Sequence, residues 1–221
     1  MSGDVDRREL LRGLLAAAVV CGTGPELFPP AAHAADPVLV DGATAGTMEA
    51  FADTVVPGAK RSTGDHAVAG AADGPGAVHA GALALLTMPE LGVAALLPGM
   101  ALLLNGQATA YAVGHGIWLP WDRPPFVGLA FVHRTALLHR LVSPDAVDRP
   151  LWIVLAFLAG LAFDTAAHLH TADAARSGHP GLGWLGFPPP GPDGLWRFDQ
   201  FSYRRALARP HPATSPSGSP S

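Results

Sequence analysis

The chain has little charge and almost no cysteine. Charged residues are 14% of its 221 residues and hydrophobic ones 49%, a balance typical of a chain with a large core. Its one cysteine, Cys21, excludes an internal disulfide and any iron–sulfur cluster or zinc site built from several cysteines. The net charge of −4, without a strong basic patch, argues against nucleic acid as a partner.

Familiar catalytic motifs are also missing. The sequence contains no G-x-S-x-G, no H-E-x-x-H, no phosphate-binding glycine loop and no dinucleotide fingerprint. The glycines of "GLGWLG" at 181–186 do not follow a predicted strand, as a nucleotide-binding loop would. No enzyme class therefore follows from a motif.

The first residues have the order of an export signal. Arg7 and Arg8 precede an apolar run, and a small-x-small cleavage site follows at Ala32 and Ala34. The paired arginines indicate the twin-arginine route. We predict a signal peptide over 1–34 and an extracytoplasmic destination, in the periplasm, the cell envelope or the medium. An ordinary secretory signal or an uncleaved anchor are the alternatives, although the apolar run is short for a membrane span.

The rest of the chain predicts an all-α fold. We expect one domain at 35–208, a helical bundle of about five helices, followed by a disordered tail at 209–221. The first helix has the period of an amphipathic helix, with Thr44 or Thr47 as its cap and Pro57-Gly58 as its stop. Further helical patterns start near Ala77, Leu91, Pro125 and Pro150, and a break is expected at Pro98-Gly99.

The longest predicted helix runs from Pro150 to Arg176, with Gly178 after its end. Its residues 151–163 are uncharged and mostly apolar, which is typical of a central helix buried on all sides. A helix in a membrane is the alternative, although the run is short for a span. The preceding helix carries histidines and arginines over 133–140, which predict a polar edge of the bundle.

The long helix also holds the best candidate for chemistry, the stretch "FDTAAHLHTAD". On one continuous helix Asp164 and His168 share a face, and His170 lies near Asp173 on another. A carboxylate beside an imidazole can hold one tautomer for general base catalysis or metal binding. Further metal ligands would have to come from other helices, and the candidates are His79, His133 and His139. The alternative is that the helix simply becomes polar where it leaves the core.

Two segments are rich in aromatic residues. The C-terminal one, part of a Gly- and Pro-rich stretch, contains Trp184, Phe187, Trp196, Phe198 and Tyr203. These rings either wrap the bundle and fill its core or form a docking surface or ligand pocket. The other, 115–123, contains Trp118 and Trp121 and is interpreted as a pocket gate or as a connection anchored by its aromatic rings.

Three stretches carry a family resemblance. "TMEAFADTVVPG", followed by "GPGAVHAGALALL", and the later "HPGLGWLGFPPPG" resemble the two ends of the gluconate 2-dehydrogenase subunit 3 family. The matching residues are Asp53–Gly58, then Gly76, Ala77 and Gly81. The middle of the chain, about 91–176, is more apolar and more helical than the family pattern.

The resemblance implies an accessory role. Such small subunits help the large subunit of a flavin-dependent dehydrogenase to fold, leave the cytoplasm or stay stable. The chain itself would then be non-catalytic and hold no cofactor, with FAD in its partner and peripheral membrane association through the complex. The alternative is a stand-alone exported enzyme that acts on an apolar small molecule through Asp164, His168 and His170, with or without a metal.

Overall fold

The computed structural model describes residues 40–194 and Trp196, and this part of the chain is 55% helix with no strand. The all-α prediction is therefore confirmed. The described residues fall into two units, 40–187 and 188–196 without residue 195. The predicted signal peptide, 1–34, and tail, 209–221, lie outside them. The helices are α1 Gly42–Val55, α2 Ala82–Leu86, α3 Leu97–Gly114, α4 Pro125–Gly128, α5 Phe131–Leu141, α6 Arg149–Thr165, α7 Thr171–Arg176 and α8 Pro180–Trp184.

Helix α1 packs against α3, α5 and α6, and Phe51 and Met48 are almost completely buried in the core around it. It ends at Val55, just before the predicted Pro57-Gly58 stop. The capping prediction is wrong, because Asp41 accepts the first N–H groups of the helix at 2.9 Å. Thr47 lies one turn inside and donates its hydroxyl to the Ala43 carbonyl instead.

Helix α3 is continuous where the sequence predicts a break. It begins at Leu97, so Pro98 lies in the first turn, where a missing N–H costs no hydrogen bond. Its side chains are entirely uncharged, and Asn105 links it to two other helices. The Asn105 amide donates to Thr47 of α1 at 3.1 Å and its carbonyl accepts the N–H of Phe126 in α4 at 3.0 Å.

Two predicted helices are shorter than expected. The one expected from Ala77 starts at Ala82, after Gly81 takes a left-handed φ of 81°. The one expected over 125–143 is interrupted at Leu129 and Ala130, whose extended backbone separates α4 from α5.

The predicted long helix ends eleven residues early. Helix α6 stops at Thr165, because Ala166 adopts a left-handed φ of 50°. Gly178, also left-handed, does mark a helix end as predicted, but the helix is the separate α7. The expectation that α6 is buried on all sides is also wrong, since Ile153 is 39% exposed and Phe157 47% exposed.

Candidate functional site

The stretch at 164–173 does not form the site predicted from a continuous helix. Because α6 ends at Thr165, Asp164 and His168 do not share a helical face, and Asp164 is exposed. His170 Nδ1 lies 3.5 Å from Asp173 Oδ2, with both side chains more than two-thirds exposed. Such a solvated pair contributes little stability.

The histidines proposed as additional ligands do not join them. His79 Nδ1 accepts the Gly76 N–H at 3.2 Å, His133 Nδ1 lies 3.4 Å from the Tyr111 hydroxyl, and His139 is exposed. Among the described residues no group of three or more His, Cys, Asp or Glu side chains is placed to hold a metal ion.

His168 instead packs inside the first unit. A Cβ on Gly81 would lie 2.5 Å from its Nε2, so the ring rests directly on the glycine backbone. Its Nδ1 is buried and has no hydrogen-bond partner. Burial and the neighbouring His179 lower the pKa of His168 from its ordinary value of 6.5. This environment favours the neutral imidazole.

His179 is the second member of this pair, with its ring centroid 5.8 Å from that of His168. Its Nδ1 accepts the Leu182 N–H at 3.4 Å at the start of α8, and its Nε2 lies 3.1 Å from the Ala80 carbonyl. These bonds assign the tautomer with hydrogen on Nε2. His179 therefore ties α8 to the segment before α2.

Helix α8 ends in an exposed apolar surface. Trp184 is 64% exposed, Leu185 54% and Phe187 37%; we call these three residues the α8 surface. A Cβ on Gly74 would lie 2.7 Å from the Trp184 ring, so this ring rests on a buried glycine. The α8 surface is thus held in a defined position although it faces solvent.

The other residues predicted for docking are described only in part. Trp196 belongs to the second unit, is half-buried, and donates its indole N–H to the Pro188 carbonyl at 2.8 Å. Phe198 and Tyr203 lie outside the described residues, so their role stays a prediction.

The loop between α3 and α4 presents two further tryptophans. Trp118 is 76% exposed and Trp121 91% exposed, so neither anchors the loop. Ile117 and Leu119 pack against the core instead. Consecutive large apolar residues such as Ile117, Trp118 and Leu119 indicate that part of this loop is buried. The sequence alone does not show which of these side chains turn inward.

Sequence reasoning missed a pair of buried charges beside α1. Asp53 accepts the N–H groups of Gly58 at 3.2 Å and Ala69 at 2.8 Å. Arg134 is only 3% exposed, so the expected polar edge at this position is wrong. It donates to four backbone carbonyls, those of His66, Ala67, Val127 and Leu129.

Burial acts on both charges of this pair. It raises the pKa of Asp53, against the backbone hydrogen bonds and the nearby Arg134, which lower it. It lowers the pKa of Arg134, while Asp53 opposes this shift. Asp53 and Arg134 form these hydrogen bonds with backbone groups. We therefore interpret the pair as a structural frame that holds these backbone segments together.

Two clefts lie elsewhere. One of about 230 Å³ is lined by Tyr111 and Arg140, and one of about 450 Å³ by Arg61 and Arg123, among others. In the larger cleft both arginines already form ion pairs, Arg61 with two carboxylates. Asp164, His168 and His170 line neither cleft.

Comparison with known proteins assigns the chain to a protein family. A family model described as a family of unknown function (DUF5987) matches residues 42–221. No curated protein and no solved structure matches the chain. Nothing in these comparisons links the chain to the gluconate 2-dehydrogenase subunit 3 family, so that resemblance stays a prediction. Within the described part of the chain, no helix combines the length and apolar character that crossing a membrane requires.

Proposed function

The chain belongs to the family of unknown function DUF5987, and we propose that it is an exported accessory subunit that docks onto the large subunit of a flavin-dependent dehydrogenase. It holds no cofactor in this proposal, and FAD belongs to the partner. The observation that carries the proposal is the α8 surface.

The physical properties of the α8 surface support a protein partner. Tryptophan is enriched among the residues that dominate binding energy at protein interfaces. The contact with Gly74 orients the Trp184 ring before any partner arrives, and this reduces the ordering entropy that docking would cost. Leu185 and Phe187 extend the apolar area next to it.

The sequence supports export and the nature of the partner. The signal-like residues Arg7, Arg8, Ala32 and Ala34 predict the twin-arginine route, which carries proteins already folded. A large subunit without its own signal could then leave the cytoplasm bound to this chain. In the same proposal the aromatic C-terminal segment, with Phe198 and Tyr203, contributes further docking residues.

The test is a pull-down of the tagged full-length protein from its native cell envelope, at neutral pH. We expect a stoichiometric flavoprotein, identified by mass spectrometry and by the flavin absorbance of the eluate. A flavin-free monomer would contradict the proposal.

A matched pair of variants locates the contact. Trp184→Ala should reduce recovery of the flavoprotein about tenfold or more, the usual effect of removing an interface tryptophan. Trp118→Ala is the control, because it removes the same residue type from an exposed position outside the α8 surface. Equal recovery with both variants would place the contact elsewhere.

A further inference from the structure

We propose that the His168–His179 pair is an acid-sensitive latch, which holds α7 and α8 in place while both rings are neutral and releases them on protonation. This proposal rests on the proposed function in one respect, since α8 carries the docking surface. The latch itself lies within this chain and can be tested without a partner.

His179 functions as a link only when neutral. Its Nδ1 must accept a hydrogen bond from Leu182 while its Nε2 donates to Ala80. Protonation would put a hydrogen on Nδ1, where it would face the Leu182 N–H as a second donor. The helix start would then lose its acceptor.

His168 adds to this effect from the other side. Protonation would create an N–H at Nδ1, which is buried and has no acceptor. On its other side, Nε2 is packed against Gly81. A second positive charge would also lie beside His179, with the ring centroids 5.8 Å apart.

The surrounding elements offer few groups that could stabilise a positive charge on His168 or His179. Helices α2 and α8 contain no ionisable side chain. On α7, Asp173 is exposed and interacts with both His170 and Arg176 at the surface. The other ionisable side chains on elements next to the pair are Asp164 and Asp73, which are exposed, His79, whose Nδ1 accepts the Gly76 N–H, and Arg149, which donates to the Val142 carbonyl at the start of α6.

The direction of the pH effect follows from His168. Its pKa in the folded chain is below the ordinary 6.5, so the unfolded segment takes up the proton first as the pH falls. The stability that the neutral ring provides is therefore complete above 6.5 and is lost as the pH falls towards the lowered value. Helix α8 packs on the backbone of Phe163 in α6, and we expect that contact to open.

Hydrogen exchange of the full-length chain tests the latch. Protection would be compared at about pH 7.5 and about pH 5, on either side of the histidine range, after correction for the intrinsic exchange rate. We expect residues 171–187 to lose severalfold or more of their protection in acid relative to α1, because the folded chain binds a proton at His168 more weakly than the unfolded segment does. Equal protection at both values would overturn the proposal.

Two variants assign the effect to the pair. His168→Gln removes one of the two rings that can gain a charge, so 171–187 should lose clearly less protection in acid than in the wild-type chain. His170→Gln changes a nearby histidine that is exposed at the surface, and the acid effect should remain. An acid loss in His168→Gln as large as in the wild-type chain would contradict the latch.

An NMR titration of the histidine rings in the wild-type chain covers the case in which His168→Gln fails to fold. His168 should titrate below 6.5, and the loss of protection should fall between 6.5 and that titration midpoint. A loss of protection outside this range would overturn the proposal. Failure of the latch would leave the pull-down at neutral pH unaffected, so the two proposals fail separately.

Discussion

At the residue scale, single side chains and single missing side chains fix the fold. Arg134 joins two separate backbone segments, 66–67 and 127–129, to α5 through carbonyls up to 68 residues away in sequence. Gly74 makes room for an indole ring, and Gly58 packs directly on the Gly76 backbone. In both cases the residue type matters because of a neighbour that is remote in sequence.

Replacing Arg134 tests the buried frame. Arg134→Met would leave four carbonyl acceptors unpaired and Asp53 without its nearby positive charge, so we expect a loss of about 3–5 kcal/mol in the free energy of unfolding. Urea denaturation of the full-length chain measures this loss. Arg140→Met on the same helix, at an exposed position, should cost less than about 1 kcal/mol. Similar costs for both would refute the frame.

Adding a methyl group at Gly74 tests the orientation of Trp184. In Gly74→Ala the new Cβ would overlap the ring, which must swing outwards. We expect a stability cost below about 1 kcal/mol, because the ring is already exposed, together with a severalfold loss of flavoprotein recovery. Gly106→Ala is the control, since nothing lies within 4 Å of the added atom. Unchanged recovery would show that the orientation of Trp184 is unimportant.

At the element scale, helix ends and helix contacts follow different rules. The stop after α1, the end of α7 at Gly178 and the start of α6 beside Pro150 follow local chemistry and match the sequence patterns. The end of α6 at Ala166 does not, because an alanine carries no signal for a left-handed turn. Ala166 is completely buried, so the packing around it holds this conformation.

Asn105 offers a test of contacts between elements. Asn105→Leu would remove the bonds to Thr47 and Phe126 and leave the Phe126 N–H without its acceptor. We expect a cost of about 1–3 kcal/mol in urea denaturation. The matched change on α3 is Thr109→Ala, at an exposed position, with an expected effect within about 0.5 kcal/mol. An equal effect of the two changes would rule out a linking role.

At the scale of the whole molecule, apolar surface and export belong to one interpretation. Trp184, Leu185 and Phe187 are exposed next to each other in a chain with a strong export-like beginning. A contiguous exposed apolar patch often marks an interaction site. The two features together are what an escort for a larger protein needs.

The export route can be tested by fractionation. Changing both Arg7 and Arg8 to Lys keeps the charge and removes the paired arginines, so we expect the chain to remain in the cytoplasm, where an immunoblot of cell fractions would find it. Arg12→Lys is the control and should be exported normally. Normal export of the double variant would favour an ordinary secretory signal.

The sequence by itself determined the helical class and the helix ends that depend on proline and glycine. These are consequences of local chemistry, since helical period, capping and a fixed φ act over a few residues. A docking role for Trp184 and Phe187 stays a prediction.

Only the tertiary structure decided which side chains are buried and which segments meet. The sequence placed Asp164 and His168 on one helical face, whereas the turn at Ala166 separates them and brings His168 to His179. It placed Arg134 at a polar edge, whereas the backbone of 66–67 closes over it. Both outcomes depend on contacts between distant parts of the chain, and no local pattern specifies them.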